Sequence, residues 1–329
     1  MKSMKKLVLA GLVLLASMVV LAGCKNDSVS ESTPVTETVQ EIPYLTFSAE
    51  AEQTMTISTI GTYTLHESLE YSVNGGDWKQ LVVRTPITFG GENGDLRLRG
   101  KSAGGTGTDY NNYATVSFGN SDVMVSCTGD IRTLVDWEVH TTASTSEARF
   151  IRLFYGCTSL TTAPTLPAET LADYCYADMF YGCTSLTTAP ALPATTLADY
   201  CYSDMFSDCT SLTTAPTLPA ETLAEYCYAS MFSCCTSLTS APALPAITLA
   251  DYCYEYMFYG CTSLNSVTML ATDISAKSCW RNWLKDVAAT GTFTKAAGLE
   301  QGDGKGQIPT GSHGIPSGWT VVDYKEQEN

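Results

Sequence analysis

The sequence predicts an α+β protein: a small β-sandwich-like domain followed by a horseshoe-type solenoid with one short strand and one helix per coil. Two observations carry that expectation. Four consecutive copies of a 26-residue unit begin at Cys157, Cys183, Cys209 and Cys235, and such a period marks a chain whose units stack on their neighbours. Upstream, residues 43–128 hold runs such as Leu69 to Val83 and Ala114 to Gly119, where apolar and polar side chains alternate between Gly-rich turns. That is the signature of short strands.

In chain order, residues 1–23 place Lys2, Lys5 and Lys6 ahead of an apolar core from Leu7 to Leu21. The core is shorter than the ~20 apolar residues a bilayer crossing needs, so the segment reads as a secretion signal. Leu21-Ala22-Gly23-Cys24 resembles the lipobox of bacterial lipoproteins. The resemblance implies cleavage ahead of Cys24 and acyl chains on that residue, a durable membrane anchor at ~0.8 kcal/mol per buried methylene. For that class, Lys25 in the following position argues against retention at an inner membrane, so the outer membrane is expected, and a position facing the cell surface is the expected address there. Residues 24–42 are polar, rich in Ser, Thr and Glu, and read as a disordered stalk. Random-coil scaling gives it a reach of roughly 25 Å.

The β-sandwich-like domain spans 43–128 and the solenoid 129–286, with a terminal cap at 287–329. Within each solenoid unit, Thr170-Leu171-Ala172-Asp173 and its copies have the form of a capping box, so a helix is expected to start there. A helical period puts Leu171, Ala172, Cys175, Tyr176, Met179 and Phe180 inside, and Asp173, Tyr174, Ala177, Asp178 and Tyr181 outside. Gly182 and Gly260 suit helix ends, although Asp208 and Cys234 stand at the same place in other copies. Leu160 to Ala163 reads as a short strand that Pro164 must end. Glu147 to Phe154 looks like a degenerate first coil and residues 261–286 a degenerate last one, in which Trp280 and Trp283 replace Tyr and Met. Beyond it, Gly291 to Lys295 and Gly318 to Tyr324 read as strands closing the open end.

The chain has 13 cysteines, and ten of the twelve other than Cys24 fall at two fixed places in the repeat. Packing alone explains thiols stacked at a shared inward position, and free buried thiols are the expectation. Disulfides between coils stay possible in an exported protein.

The blocks Met179 to Leu186, Met205 to Leu212, Met231 to Leu238 and Met257 to Leu264 read Met-Phe-x-x-Cys-Thr-Ser-Leu. They resemble the BspA-like class of leucine-rich repeats, known from surface proteins of Bacteroides and related bacteria. The resemblance covers roughly residues 131–286 and implies a leucine-rich-repeat solenoid used in adhesion to molecules of a host or neighbouring cell. It departs from the commonest form in unit length and in the Ala-Pro-x-Leu-Pro segment, and it transfers no contact residues.

A net charge of −16 opposes binding to nucleic acid, because the long-range field repels phosphate. Gly94 to Ser102 has five residues between its glycines rather than the four of a phosphate loop, and no helical pattern follows. His66, His140 and His313 have no Cys or carboxylate at ligand spacing, and Gly302 to Gly306 lacks the alternating carboxylates of a calcium loop. No cofactor, metal or catalytic set is expected, and the chain reads as a non-enzyme. What remains is the repeated surface. Tyr174, Tyr200, Tyr226 and Tyr252 recur beside Asp173, Asp199, Glu225 and Asp251, and such a row can anchor a partner or simply pack between coils. The repeated threonines at 161–162 and their copies suit β structure first and a ligand second. The expectation is a cell-surface adhesion lipoprotein engaging an extracellular protein or glycoprotein. Carbohydrate capture assisting polysaccharide uptake and a purely structural surface rod are the alternatives.

Overall fold

A computed structural model describes residues 42–302, 307–311 and 314–325. The expected signal segment, the expected lipidation site Cys24, nearly all of the expected stalk, His313 and most of the expected turn at 302–306 lie outside the described residues.

The first half builds two antiparallel sheets. The chain order is β1 (Leu45–Ala49), β2 (Gln53–Ile60), β3 (Glu70–Val73), β4 (Lys79–Gln80), β5 (Ile87–Phe89), β6 (Leu96–Arg99), β7 (Gly107–Asp109), β8 (Asn112–Phe118) and β9 (Val125–Thr128). Period-two alternation is the reason these segments are strands: Leu96 and Leu98 are buried while Arg97 and Arg99 face outward, and Gln53, Met55 and Ile57 are buried along β2. Between β3 and β4 the Gly76 N–H returns to the Val73 carbonyl at 3.0 Å. Asn74 and Gly75 take positive φ there, as a type I′ turn requires. Strands β5-β2-β8-β7 make one sheet, and β9-β1-β6-β3-β4 form most of the other. Phe47 on β1 meets Phe118 on β8 at 5.8 Å between ring centroids, so the sheets face one another across a shared core.

No linker separates this sandwich from the repeats, and Ile42–Asn329 is one unit. Strand β10 (Leu160–Thr162) belongs to the first coil yet pairs in parallel with β9, extending that sheet. The Val116 N–H donates to the Leu153 carbonyl at 2.8 Å, so the other sheet also runs into the coil. Phe154 closes the contact, lying 6.1 Å from Phe47 on one side and 5.5 Å from Phe180 on the other. The sandwich is thus the cap that covers the first coil's open face.

The expected helix in each coil is not formed, and the α+β assignment is overturned. The α-helix among the described residues is α1 (Thr133–Asp136), which lies ahead of the repeats. Residues 171–183 form a run of tight turns instead. Cys175, Ala177, Met179, Tyr181 and Cys183 each donate to the carbonyl three residues back, while Tyr174, Tyr176, Asp178, Phe180 and Gly182 each donate to the next coil, at Asp199, Cys201, Ser203, Met205 and Ser207. A helix would keep all these bonds within its own segment. Positive φ at Tyr174, Asp178 and Gly182 (60°, 52° and 69°) excludes one directly. The Thr170 capping box has no helix to cap; Thr170 pairs with Thr196 of the next coil in a parallel bridge.

The same positions recur with positive φ in every coil, which explains Asp208 and Cys234: they occupy the left-handed site that Gly156, Gly182 and Gly260 fill elsewhere. Inside, Phe180, Phe206, Phe232 and Phe258 stack in one ladder and Tyr176, Tyr202, Tyr228 and Tyr254 in another. The second ladder ends on Trp283, 6.4 Å from Tyr254, rather than on the sequence-aligned Trp280. Cys183, Cys209, Cys235 and Cys261 are buried free thiols donating to the carbonyls of Phe154, Phe180, Phe206 and Phe232 at 2.9–3.2 Å.

On the opposite side of each coil the Ala-Pro-x-Leu-Pro segment has few donors. Between the second and third coils the ladder there shrinks to one bridge, Thr188 with Thr214. Regular strands return in β11 (Ser240–Leu244), β12 (Ser266–Met269), β13 (Gly291–Lys295) and β14 (Trp319–Asp323), a parallel four-stranded sheet. Pro164 does lie beyond the end of β10, but Pro242 sits within β11. It is tolerated because β11 is an edge strand and its register shifts between Ser240 and Ala243.

Candidate functional site

Tyr174, Tyr200, Tyr226 and Tyr252 sit at the first left-handed position of successive coils, with φ between 54° and 60°. This conformation turns each side chain outward, and the coil-to-coil hydrogen bonds bring equivalent residues into register. The rings stack with centroids 4.9, 4.5 and 4.4 Å apart and planes within 12° of parallel. All four are half-buried. The faces of Tyr200 and Tyr226 are covered on both sides by neighbouring rings, leaving edges and hydroxyls to meet a ligand. Tyr110, from the β7–β8 turn, extends the row at 6.2 Å from Tyr174.

The acids that flank this row in sequence have a structural task. Asp173, Asp199 and Asp251 accept the backbone N–H of Asp199, Glu225 and Lys277 at 3.3, 3.0 and 2.8 Å, tying coil to coil. A second row lies four residues further on. It runs Arg152, Asp178, Asp204, Ser230 and Tyr256, again with φ of 52–54°. Asp204 and Ser230 of this row, with Tyr174, Tyr200 and Tyr226, Ser203, Tyr110 and Glu255, line an open groove of about 390 Å³.

Arginines contact lining residues of the groove, Arg152 at Tyr110 and Arg281 at Glu255. Arg152 lies over the Tyr110 ring at 4.1 Å, donates to the hydroxyls of Tyr110 and Tyr113, and pairs with Asp178 at 3.3 Å. Arg281 pairs with Glu255 at 3.1 Å and donates to the Tyr256 hydroxyl at 3.0 Å. Burial raises the Asp178 carboxyl despite Arg152, and burial with the Asp178 charge beside it pushes the Tyr110 phenol up to about 12. Asp204 has hydroxyl partners, Ser203 at 3.0 Å and Ser230, but no basic side chain pairs with it among the described residues. Burial and the neighbouring Asp178 push its carboxyl up to about 6.

The structure therefore brings the four predicted tyrosines together and adds Asp178, which the sequence reading placed on the outside and which is buried, with Asp204, Arg152 and Arg281. The signal was present in the repeat column that reads Arg, Asp, Asp, Ser, Tyr, because a position that varies among otherwise uniform copies marks a changing environment. The threonine row is exposed at Thr187, Thr188, Thr213 and Thr214. Among the described residues, no group of three or more His, Cys, Asp or Glu side chains converges on a common point that could hold a metal.

This is a stacked-coil repeat protein with an aromatic and acidic lateral surface. The model of the family described as BspA type Leucine rich repeat region (6 copies) matches residues 150–265 and 177–296. The match supports a protein with BspA-like leucine-rich repeats, whose family implies a protein-interaction or surface repeat role. Comparisons with curated proteins and with solved structures find no match.

Proposed function

We propose that the protein is a cell-surface binding protein, tethered through lipid on Cys24 at an outer membrane, that engages an extracellular protein or glycoprotein along the tyrosine groove. The observation that carries this reading is the unbroken ladder from Tyr174 to Tyr252 beside an open groove. Rigid tyrosines offer large contact area at small entropy cost, the composition that binding surfaces favour. The covered ring faces weigh against carbohydrate capture, since a sugar stacks on an open aromatic face. Repetition adds avidity for a partner that touches several coils at once.

The test is binding of the displayed protein to arrayed extracellular proteins and glycans, next to a variant with all four tyrosines changed to alanine. Tyrosine-dependent retention of a protein supports the reading. Retention of glycans alone would support the uptake alternative, and silence on both arrays the structural rod.

A further inference from the structure

The groove contains a template for its own occupant. At its first coil the row position is Arg152, whose guanidinium lies beside Tyr110 and pairs with the Asp178 carboxylate, itself only 4% exposed. At the far end Arg281 does the same for Glu255. Between them Asp204 faces the groove with hydroxyl partners alone. Asp178 and Glu255 each pair with a guanidinium, whereas among the described residues no basic side chain pairs with Asp204, on which Arg152 acts only from further off. A partly desolvated carboxylate next to hydroxyls and ring edges lacks the directly paired guanidinium that Asp178 and Glu255 have.

We propose that the central station of the groove, at Asp204 between Tyr200 and Tyr226, receives an arginine side chain from an extended basic segment of a partner protein. This rests on the reading of the tyrosine groove as the binding surface and specifies the chemistry of its partner. Charge complementarity carries the assignment: the chain bears a net charge of −16, Asp204 lines the groove between the Ser203 and Ser230 hydroxyls, and arginine supplies a planar fork for a carboxylate and flanking hydroxyls. Lysine would bring a point charge without that fork and would bind less tightly.

The experiment uses the full-length protein and a fluorescent hexa-arginine peptide, with a hexa-citrulline peptide of nearly the same shape and no charge. Hexa-arginine is expected to bind at least tenfold more tightly than hexa-citrulline, and Asp204→Asn to weaken it about tenfold. Ser230→Arg should abolish binding by filling the station from within; the fold accepts arginine at that column, because Arg152 already holds it at the same φ of 54°. Thr188→Arg, on the exposed threonine row outside the groove, changes net charge equally and should leave binding unaltered. If Thr188→Arg and Ser230→Arg weaken binding alike, attraction is to the overall field and the assignment is overturned. If a protein partner is retained by the tyrosines yet ignores Asp204→Asn, the assignment fails while the wider reading stands. Loss of tyrosine-dependent partner binding altogether would remove the wider reading instead.

Discussion

Tyr200 and Tyr226 lie face to face, ring centroids 4.5 Å apart and planes 10° from parallel, although 26 residues separate them. Both occupy left-handed backbone positions, with φ of 57° and 54°. A bulky residue adopts this conformation at a cost of about 1–2 kcal/mol, which stacking and the coil-to-coil hydrogen bonds offset.

That geometry sets the sign of a simple comparison. Tyr226→Gly and Tyr226→Ala both lose the stack, but glycine accepts a φ of 54° without strain. The glycine variant should be the more stable of the two by about 1 kcal/mol in urea denaturation, whereas in a helix alanine would win by a similar margin. A more stable alanine variant would restore the helix.

The cysteines differ sharply in reach. Cys234 is half-buried, while the other described cysteines are buried, and burial pushes the Cys209 thiol up to about 12. Thiolate is the reactive form. Iodoacetamide at mildly alkaline pH should therefore modify Cys234 in the native protein and spare the remaining positions from Cys127 to Cys279, as read by peptide mass mapping. Equal labelling of Cys209 and Cys234 would contradict the packed ladder.

Tyr228 carries a buried hydroxyl without a hydrogen-bond partner among the described residues. The first coil has Phe150 in the same ladder, stacked on Tyr176 at 6.0 Å. Tyr228→Phe removes a desolvated polar group and keeps the ring, so unfolding free energy should rise by about 1 kcal/mol. A loss of stability would mean that the hydroxyl is satisfied after all.

Asp204 makes stability depend on pH. Its folded value of about 6 lies above the ordinary aspartate value of 3.8, because of burial first and then the Asp178 charge, which the Ser203 and Ser230 hydroxyls and Arg152 oppose. Between those values the folded protein holds a proton that the unfolded chain has released. The contribution is therefore most favourable below the ordinary aspartate range and is lost as pH rises through about 6. Asp204→Asn should raise stability at pH 7 by on the order of 1–2 kcal/mol, discounted for water reaching the half-buried carboxyl, and have little effect near pH 4. Thermal melts of both proteins across that range check the sign.

The repeat period, the outward tyrosines and the buried residues were legible in the sequence, because each copy repeats the same polar and apolar choices. Leu171, Ala172, Cys175, Tyr176, Met179 and Phe180 were expected inside, and all are buried, but Ala177 and Asp178, expected outside, are buried as well, because the run of turns does not follow the helical period that put them there. The secondary structure carrying them was not legible. Turns with a left-handed residue every fourth position, at Tyr174, Asp178 and Gly182, turn the same pairs inward as a helix of about 3.6 residues per turn does over so short a span. Hydrophobic pattern alone cannot separate them.

The sequence by itself therefore determined that the chain stacks, where each coil begins and which faces are apolar. Only the tertiary structure decided how the backbone is satisfied. The N–H groups of Tyr174, Tyr176 and Phe180 find their acceptors at Asp199, Cys201 and Met205 of the next coil, and a partner 25 residues away is invisible to any local propensity. The groove followed from that choice. Once neighbouring coils share a ladder, residues in one repeat column lie side by side, so Arg152 reaches Asp178 at 3.3 Å, while half-buried Asp204 has no basic side chain paired with it among the described residues and feels Arg152 only from further off.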